Sequence, residues 1–154
     1  MHVQQRIVPF LSYVDQAEAA ASFYTALIPD SHVDKTTMNP SNGSVLTVEF
    51  TLGGIQFVAL NAGVEWKFTE AFSLSVACET QAEIDRLWSA LTEGGREVQC
   101  GWLTDRYGMS WQIVPAQMMH FVSDPDPQRV QRVMQAMFQM VKLDLAALQA
   151  AYDG

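Results

Sequence analysis

Glu49 lies in the run VLTVEFTL, between Thr47 and Thr51. Alternation along a strand puts these three on one face and Leu46, Val48, Phe50 and Leu52 on the other. A carboxylate on a partly apolar face has its pKa raised by desolvation and can serve as a general base; on a wet face it is an ordinary surface group. Gln112 poses the same kind of choice. In MSWQIV, Met109, Trp111 and Ile113 oppose Ser110, Gln112 and Val114. The Gln112 amide either orients a bound molecule or is a satisfied structural group. In FSLSVAC, Phe72, Leu74, Val76 and Cys78 oppose Ser73, Ser75 and Ala77. Asp105 and Arg106 adjoin a glycine turn at Gly108, where they either contact an anion or pair at the surface. Cys100 needs a nearby base to act as a nucleophile. No histidine adjoins it in sequence, which favours a structural thiol.

The elements that position these groups are repeated. DQAEAAASFYTAL begins at Asp15 and TQAEIDRLWSAL at Thr80, 65 residues later. Each opens with a capping residue and has a glutamate three positions on, as in a capping box: Asp15 with Glu18, Thr80 with Glu83. Helical spacing then predicts apolar stripes of Ala19, Phe23 and Leu27 in the first helix, and of Ile84, Leu87, Trp88 and Leu91 in the second. A strand-like run precedes each helix, RIVPFLSYV and AFSLSVAC. Further strands follow: SHVDKTTMN, SVLTVEFTL and IQFVALN in the first half, REVQCGWLTD and SWQIVP in the second, punctuated by turn glycines. The order β-α-β-β-β occurs twice. One strand face is apolar and suits packing under a helix; the other is small or polar and suits the lining of a cavity.

The remaining residues fit one compact protein. Hydrophobic residues make up 49% and charged residues 17%, enough apolar material for a core. The net charge of −8 argues against nucleic acid and anionic membrane surfaces. Met1 to Phe10 lacks the basic start and apolar run of a secretory signal, and no stretch approaches the roughly 20 apolar residues of a membrane span. The two cysteines, Cys78 and Cys100, form no metal or redox motif, which suits a cytoplasmic protein with reduced thiols. In the tail, Asp126 caps a helix with Pro127 at its first position. Val130, Val133, Met134, Met137, Phe138 and Val141 form its apolar stripe, and a second short helix begins near Asp144. Met134, Met137 and Met140 offer either an adaptable ligand wall or plain packing.

With these elements in place, the chain resembles the PhnB-like branch of the vicinal-oxygen-chelate superfamily, which includes glyoxalase I, fosfomycin- and bleomycin-resistance proteins and extradiol dioxygenases. The stretches that carry the resemblance are PFLSY, AEAAASFY, SVLTVEFTLGGIQFVALNAG, EIDRLWSALTEGG, CGWLTDRYGMSWQIVP and VMQAMFQMVKLDLAALQAAY, in order along nearly the whole chain. The resemblance implies an α+β fold of two βαβββ modules, residues 1–62 and 68–116, whose curved mixed sheets surround a cleft in a single glyoxalase-like domain, followed by C-terminal helices over 117–154. It also implies a homodimer. The linker aromatics Trp66 and Phe68 then cap the cleft or support the dimer.

Superfamily enzymes hold a divalent metal with His, Glu or Gln on the first and last strands of each module. Carried onto this sequence, those places are Val8, Val58, Ser73 and Gln112. Only Gln112 is a fair ligand, and one amide does not make a metal site. His2, His32 and His120 have no ligand spacing. The expectation is therefore a protein without the usual metal, or any confident cofactor, that binds a small organic molecule through Phe10, Ser73, Ser75, Trp102 and Gln112. The alternative is a metal-independent or atypical-metal lyase, isomerase or oxygenase with Glu49 as its catalytic base. Members of this branch often carry the label 3-demethylubiquinone-9 3-methyltransferase. The sequence argues against methyl transfer from S-adenosylmethionine: it has no GxGxxG, and Gly53-Gly54 joins two strands instead of a strand and a helix.

Overall fold

The computed structural model describes residues 5–154, so His2 lies outside the described residues. The chain forms two compact units that meet in sequence between Lys67 and Phe68. Unit 1 runs β1 (Phe10–Tyr13), α1 (Ala17–Leu27), β2 (His32–Met38), β3 (Val45–Leu52) and β4 (Ile55–Asn61). Unit 2 runs β5 (Ser73–Cys78), α2 (Gln81–Thr92), β6 (Arg96–Glu97), β7 (Trp102–Thr104) and β8 (Ser110–Pro115), and then α3 (Met118–Val122), α4 (Pro127–Phe138) and α5 (Leu145–Asp153). The sheets are ordered β1-β4-β3-β2 and β5-β8-β7-β6. The fold is α+β, a doubled βαβββ arrangement with C-terminal helices.

The duplication is visible in the register. Phe10 pairs with Val58 across parallel β1 and β4, and Ser75 pairs with Gln112 across parallel β5 and β8. Phe10 and Ser75 are separated by the same 65 residues as the two helix starts. In each unit one sheet face lies under the helix. In unit 1 it carries Leu11, Tyr13, Val48, Phe50, Phe57 and Ala59, all buried. In unit 2 it carries Cys78, Leu103, Trp111 and Ile113 beneath Ile84, Leu87, Trp88 and Leu91. That α2 stripe is the one the spacing predicts. The α1 stripe is shifted: Ala17, Ala20, Ala21 and Tyr24 are buried while Ala19 is exposed. Alanines on several faces leave the phase to tertiary packing.

The two helices also start differently. Thr80 accepts a hydrogen bond from Glu83 N, and Glu83 accepts one from Glu79 N, close to the predicted capping box. The corresponding box at Asp15 does not form. Gln16 is the N-cap and offers no side-chain cap. Instead, Asn61 at the end of β4 accepts from Ala17 N at 2.9 Å and donates to Val45 O at 3.0 Å. One amide thus ties α1, β3 and β4 together. Replacing Asn61 by alanine removes both bonds and is expected to cost about 1–2 kcal/mol in urea unfolding. An unchanged midpoint would show that water caps α1 equally well.

The tail builds its own small core of Phe121, Val133, Leu143, Leu148 and Tyr152, with Val114, Met137 and Met140 packed against it. Asp126 and Asp144 cap α4 and α5 as expected. The short helix α3 is an addition to the sequence expectation. The Tyr152 hydroxyl donates to Asp124, and the Arg129 guanidinium lies 5.2 Å from the centre of the Tyr152 ring. The Tyr152 hydrogen bond, followed by the Asp126 backbone N–H, holds the Asp124 carboxyl below its ordinary range. A lowered carboxylate stabilises above its unfolded pKa, and that contribution is lost as pH falls through the folded value. Acid should therefore loosen α5 before it loosens the sheet, as read by amide signals of α5 against those of β8. Tyr152→Phe should weaken that acid dependence; an identical profile in the variant would exclude this hydrogen bond as its source.

Candidate functional site

Each sheet has a second face without a helix from its own βαβββ repeat, and this face carries the residues singled out by parity. In unit 2, Gln112 pairs in register with Ser75 on one side and Trp102 on the other. The Gln112 amide nitrogen donates to Ser73 Oγ at 2.9 Å. Ser73, Gln112 and Trp102 are half-buried, and Ser75 is exposed. Thr104 and Ser110 pair on the same face, and Thr104 Oγ1 is buried with no hydrogen-bond partner. This is a compact set of hydroxyls and an amide beside an indole. Its amide oxygen remains available to accept a hydrogen bond from a ligand.

In unit 1, Val58 pairs with Phe10 on β1 and with Glu49 on β3. A cavity of about 170 Å³ here is lined by Val8, Phe10, Asp34, Glu49, Gln56 and Val58, among others. Phe10 is 58% exposed. Glu49 is exposed as well, so it does not have the dry setting that a desolvated base requires. Lys35 stands directly opposite it on β2. Asp34 was not singled out by the sequence. It sits at a register shift in β2, pairs with His32 at 2.8 Å and accepts from Thr51 Oγ1 at 2.8 Å. A bulge changes which way a side chain points, and the sequence carries no local signal for it. A larger cavity of unit 1, about 560 Å³, lies by the start of α1 and is lined by Asp15, Glu18, Asn39 and Asn61 among others.

Other candidates have structural roles. Asp105 is not a surface carboxylate: it is 3% exposed. Its Oδ1 accepts from Tyr107 N and Met109 N at 2.8 and 3.1 Å, and its Oδ2 accepts from Trp111 Nε1 at 2.8 Å. It organises the β7–β8 turn. Burial pushes the Cys78 thiol up to about 12, so its thiolate is scarce at neutral pH. Met137 and Met140 pack in the tail. The His120 ring lies against Phe121 and Tyr152.

The places that correspond to superfamily metal ligands do not fit a metal. Val58 and Gln112 occupy equivalent register positions, and Val8 and Ser73 lie two residues before Phe10 and Ser75. Two of these four side chains are hydrocarbon. Among the described residues, no three His, Cys, Asp or Glu side chains cluster as a metal site would require. Also among the described residues, no helix is long and apolar enough to cross a membrane.

Paired βαβββ units of this form are the fold of the glyoxalase and bleomycin-resistance class of proteins. Within it, the chain belongs to the family described as 3-demethylubiquinone-9 3-methyltransferase, whose profile matches residues 5–114. The PhnB protein of Bacillus cereus is 35% identical, with a TM-score of 0.68 over 73% of this chain and all of that one. A Pseudomonas aeruginosa protein, at 21% identity and TM-score 0.57, covers 73% of this chain and 98% of its own. The fosfomycin resistance protein FosX of Mesorhizobium loti shares the fold at 11% identity and TM-score 0.57, over 79% of this chain and 99% of its own. No curated protein matches the sequence.

Proposed function

We propose that this protein binds a small organic molecule on the sheet faces turned away from α1 and α2, as a homodimer and without the superfamily metal. The observation that carries the reading is the half-buried Gln112–Ser73 hydrogen bond beside Trp102 and Ser75. A neutral amide and hydroxyls next to an indole suit a ligand with one flat or apolar part and one hydrogen-bonding part. The overall charge of −8 disfavours anions, so neutral or cationic molecules are the favoured class. Exposed Phe10 and Trp66, at 58% and 61%, are the apolar groups offered to a ligand or a second copy.

Turnover is the second reading, and it rests on Glu49. The exposure of that carboxylate weakens it as a general base. Methyl transfer has less support. S-adenosylmethionine enzymes typically use a doubly wound sheet with a glycine-rich strand-to-helix turn, whereas Gly53-Gly54 forms the two-residue hairpin between β3 and β4.

The test is native mass spectrometry of freshly purified protein, with metal content measured on the same sample. If mild ionisation leaves no adduct, thermal shifts with a panel of small organic cations and neutral heteroaromatics follow. The reading expects a dimer with a small organic adduct, or a shift with a panel member, either of which Gln112→Leu abolishes. About one divalent metal per chain would overturn it, as would the absence of both adduct and thermal shift.

A further inference from the structure

We propose that the C-terminal helical tail is a positioning element for Trp102. The proposal rests on the binding reading for its purpose, but its geometry stands by itself.

The turn that leads into β7 has an unusual backbone. Cys100 and Gly101 have φ of 60° and 82°, two consecutive residues in the left-handed region. Such a conformation is costly for cysteine and persists where its surroundings over-determine it. Those surroundings come from the segment between α4 and α5. Cys100 N donates to Met140 O at 2.9 Å, and Gly101 N to Val141 O at 2.8 Å. Leu143 is fully buried, and a Cβ at Gly101 would lie 2.9 Å from its Cγ and 2.9 Å from Ile113 O. Only glycine fits between the tail and β8.

The same segment is anchored to α2. Gln81 donates to Leu143 O at 3.1 Å and accepts from Leu145 N at 2.8 Å. Lys142 meets Asp85 at 2.7 Å. Trp102, the next residue after Gly101, enters β7 opposite Gln112.

Unit 1 explains why unit 2 needs this arrangement. There, β2 is seven residues long and pairs with β3 from Val45 to Thr51. Its counterpart β6 has two residues that pair with Leu103 and Thr104, and the pairing runs one step further, from Val98 N to Trp102 O at 2.9 Å. At the tip of this hairpin Trp102 N donates to Gln99 O at 3.1 Å, and the N–H groups of Cys100 and Gly101 turn away from the sheet to the tail's carbonyls. The family profile ends at Val114, before this tail begins. The tail thus holds the tip of the β6–β7 hairpin, immediately before the aromatic side chain of the proposed site.

The experiment uses full-length protein labelled with 5-fluorotryptophan. Four fluorine resonances are expected, and Trp102→Phe assigns the relevant one. In Leu143→Ala, the Trp102 resonance should shift or broaden while that of Trp66 stays in place; Leu143→Met should restore it. In the wild-type protein, the Cys100 and Gly101 amides should exchange within about tenfold of the Leu148 amide in α5, and faster than that of Trp111, which pairs with Leu103 inside the β7–β8 ladder, because they open with the tail. This second reading decides the matter if Leu143→Ala fails to fold. A Trp102 resonance unmoved in folded Leu143→Ala would overturn the proposal, as would Cys100 and Gly101 amides that exchange as slowly as that of Trp111. Neither readout contains a ligand. Failure of the binding reading therefore leaves these results standing, and their failure leaves Gln112 binding intact.

Discussion

Asp105→Ala should destabilise unit 2 by about 4 kcal/mol, because it strands several buried donors at once. The carboxylate accepts from two backbone N–H groups of its own turn and from the indole N–H of Trp111. Trp111 is 1% exposed, so water does not replace the lost acceptor without opening the core. Asp105→Asn should rescue only part of the loss. An asparagine oxygen can serve Tyr107 N and Met109 N, but its NH2 then faces the Trp111 N–H, donor against donor. Urea unfolding followed by tryptophan fluorescence measures both variants. A loss below about 1 kcal/mol in the alanine variant would mean that the turn holds without its carboxylate.

Gly95→Ala acts on the same corner from the other side and is expected to cost about 3 kcal/mol. A Cβ there would fall on the Thr104 carbonyl oxygen and within 2.8 and 2.9 Å of Asp105 C and Cα. The obstacles are backbone atoms, which do not rotate away as a side chain tip does. Relief requires β6 to part from β7, where Arg96 pairs with Thr104 and Glu97 with Leu103. The Trp88 indole would lose its 2.8 Å bond to Glu97 in the process. The measurement is the same unfolding curve, with the indole N–H signal of Trp88 as a local probe. A wild-type midpoint together with an unmoved Trp88 signal would would contradict this account of the corner.

Much of this protein was written in local patterns. Period-two alternation in VLTVEFTL, FSLSVAC and MSWQIV assigned the faces of β3, β5 and β8, because side-chain direction along a strand follows from backbone geometry alone. The QAE repeat announced the two helices, and the stripe on α2 followed from its large apolar residues. Thr80 capped α2 because the box is contained within four residues. The cap of α1 was not legible, since Asn61 comes from a strand 44 residues away.

The sequence by itself determined the doubled βαβββ order, the family, and a set of strand residues with no metal-ligand pattern. Each is a property of residue type and spacing, and spacing survives without coordinates. The tertiary structure decided what each polar group faces. It turned Asp105 from a surface candidate into a buried turn acceptor, put Asp34 on a bulge beside Thr51, left Glu49 exposed, and paired Gln112 with Ser73. It also brought Leu143 against Gly101. Burial and partnership depend on segments far apart in the chain, and no local window contains both partners.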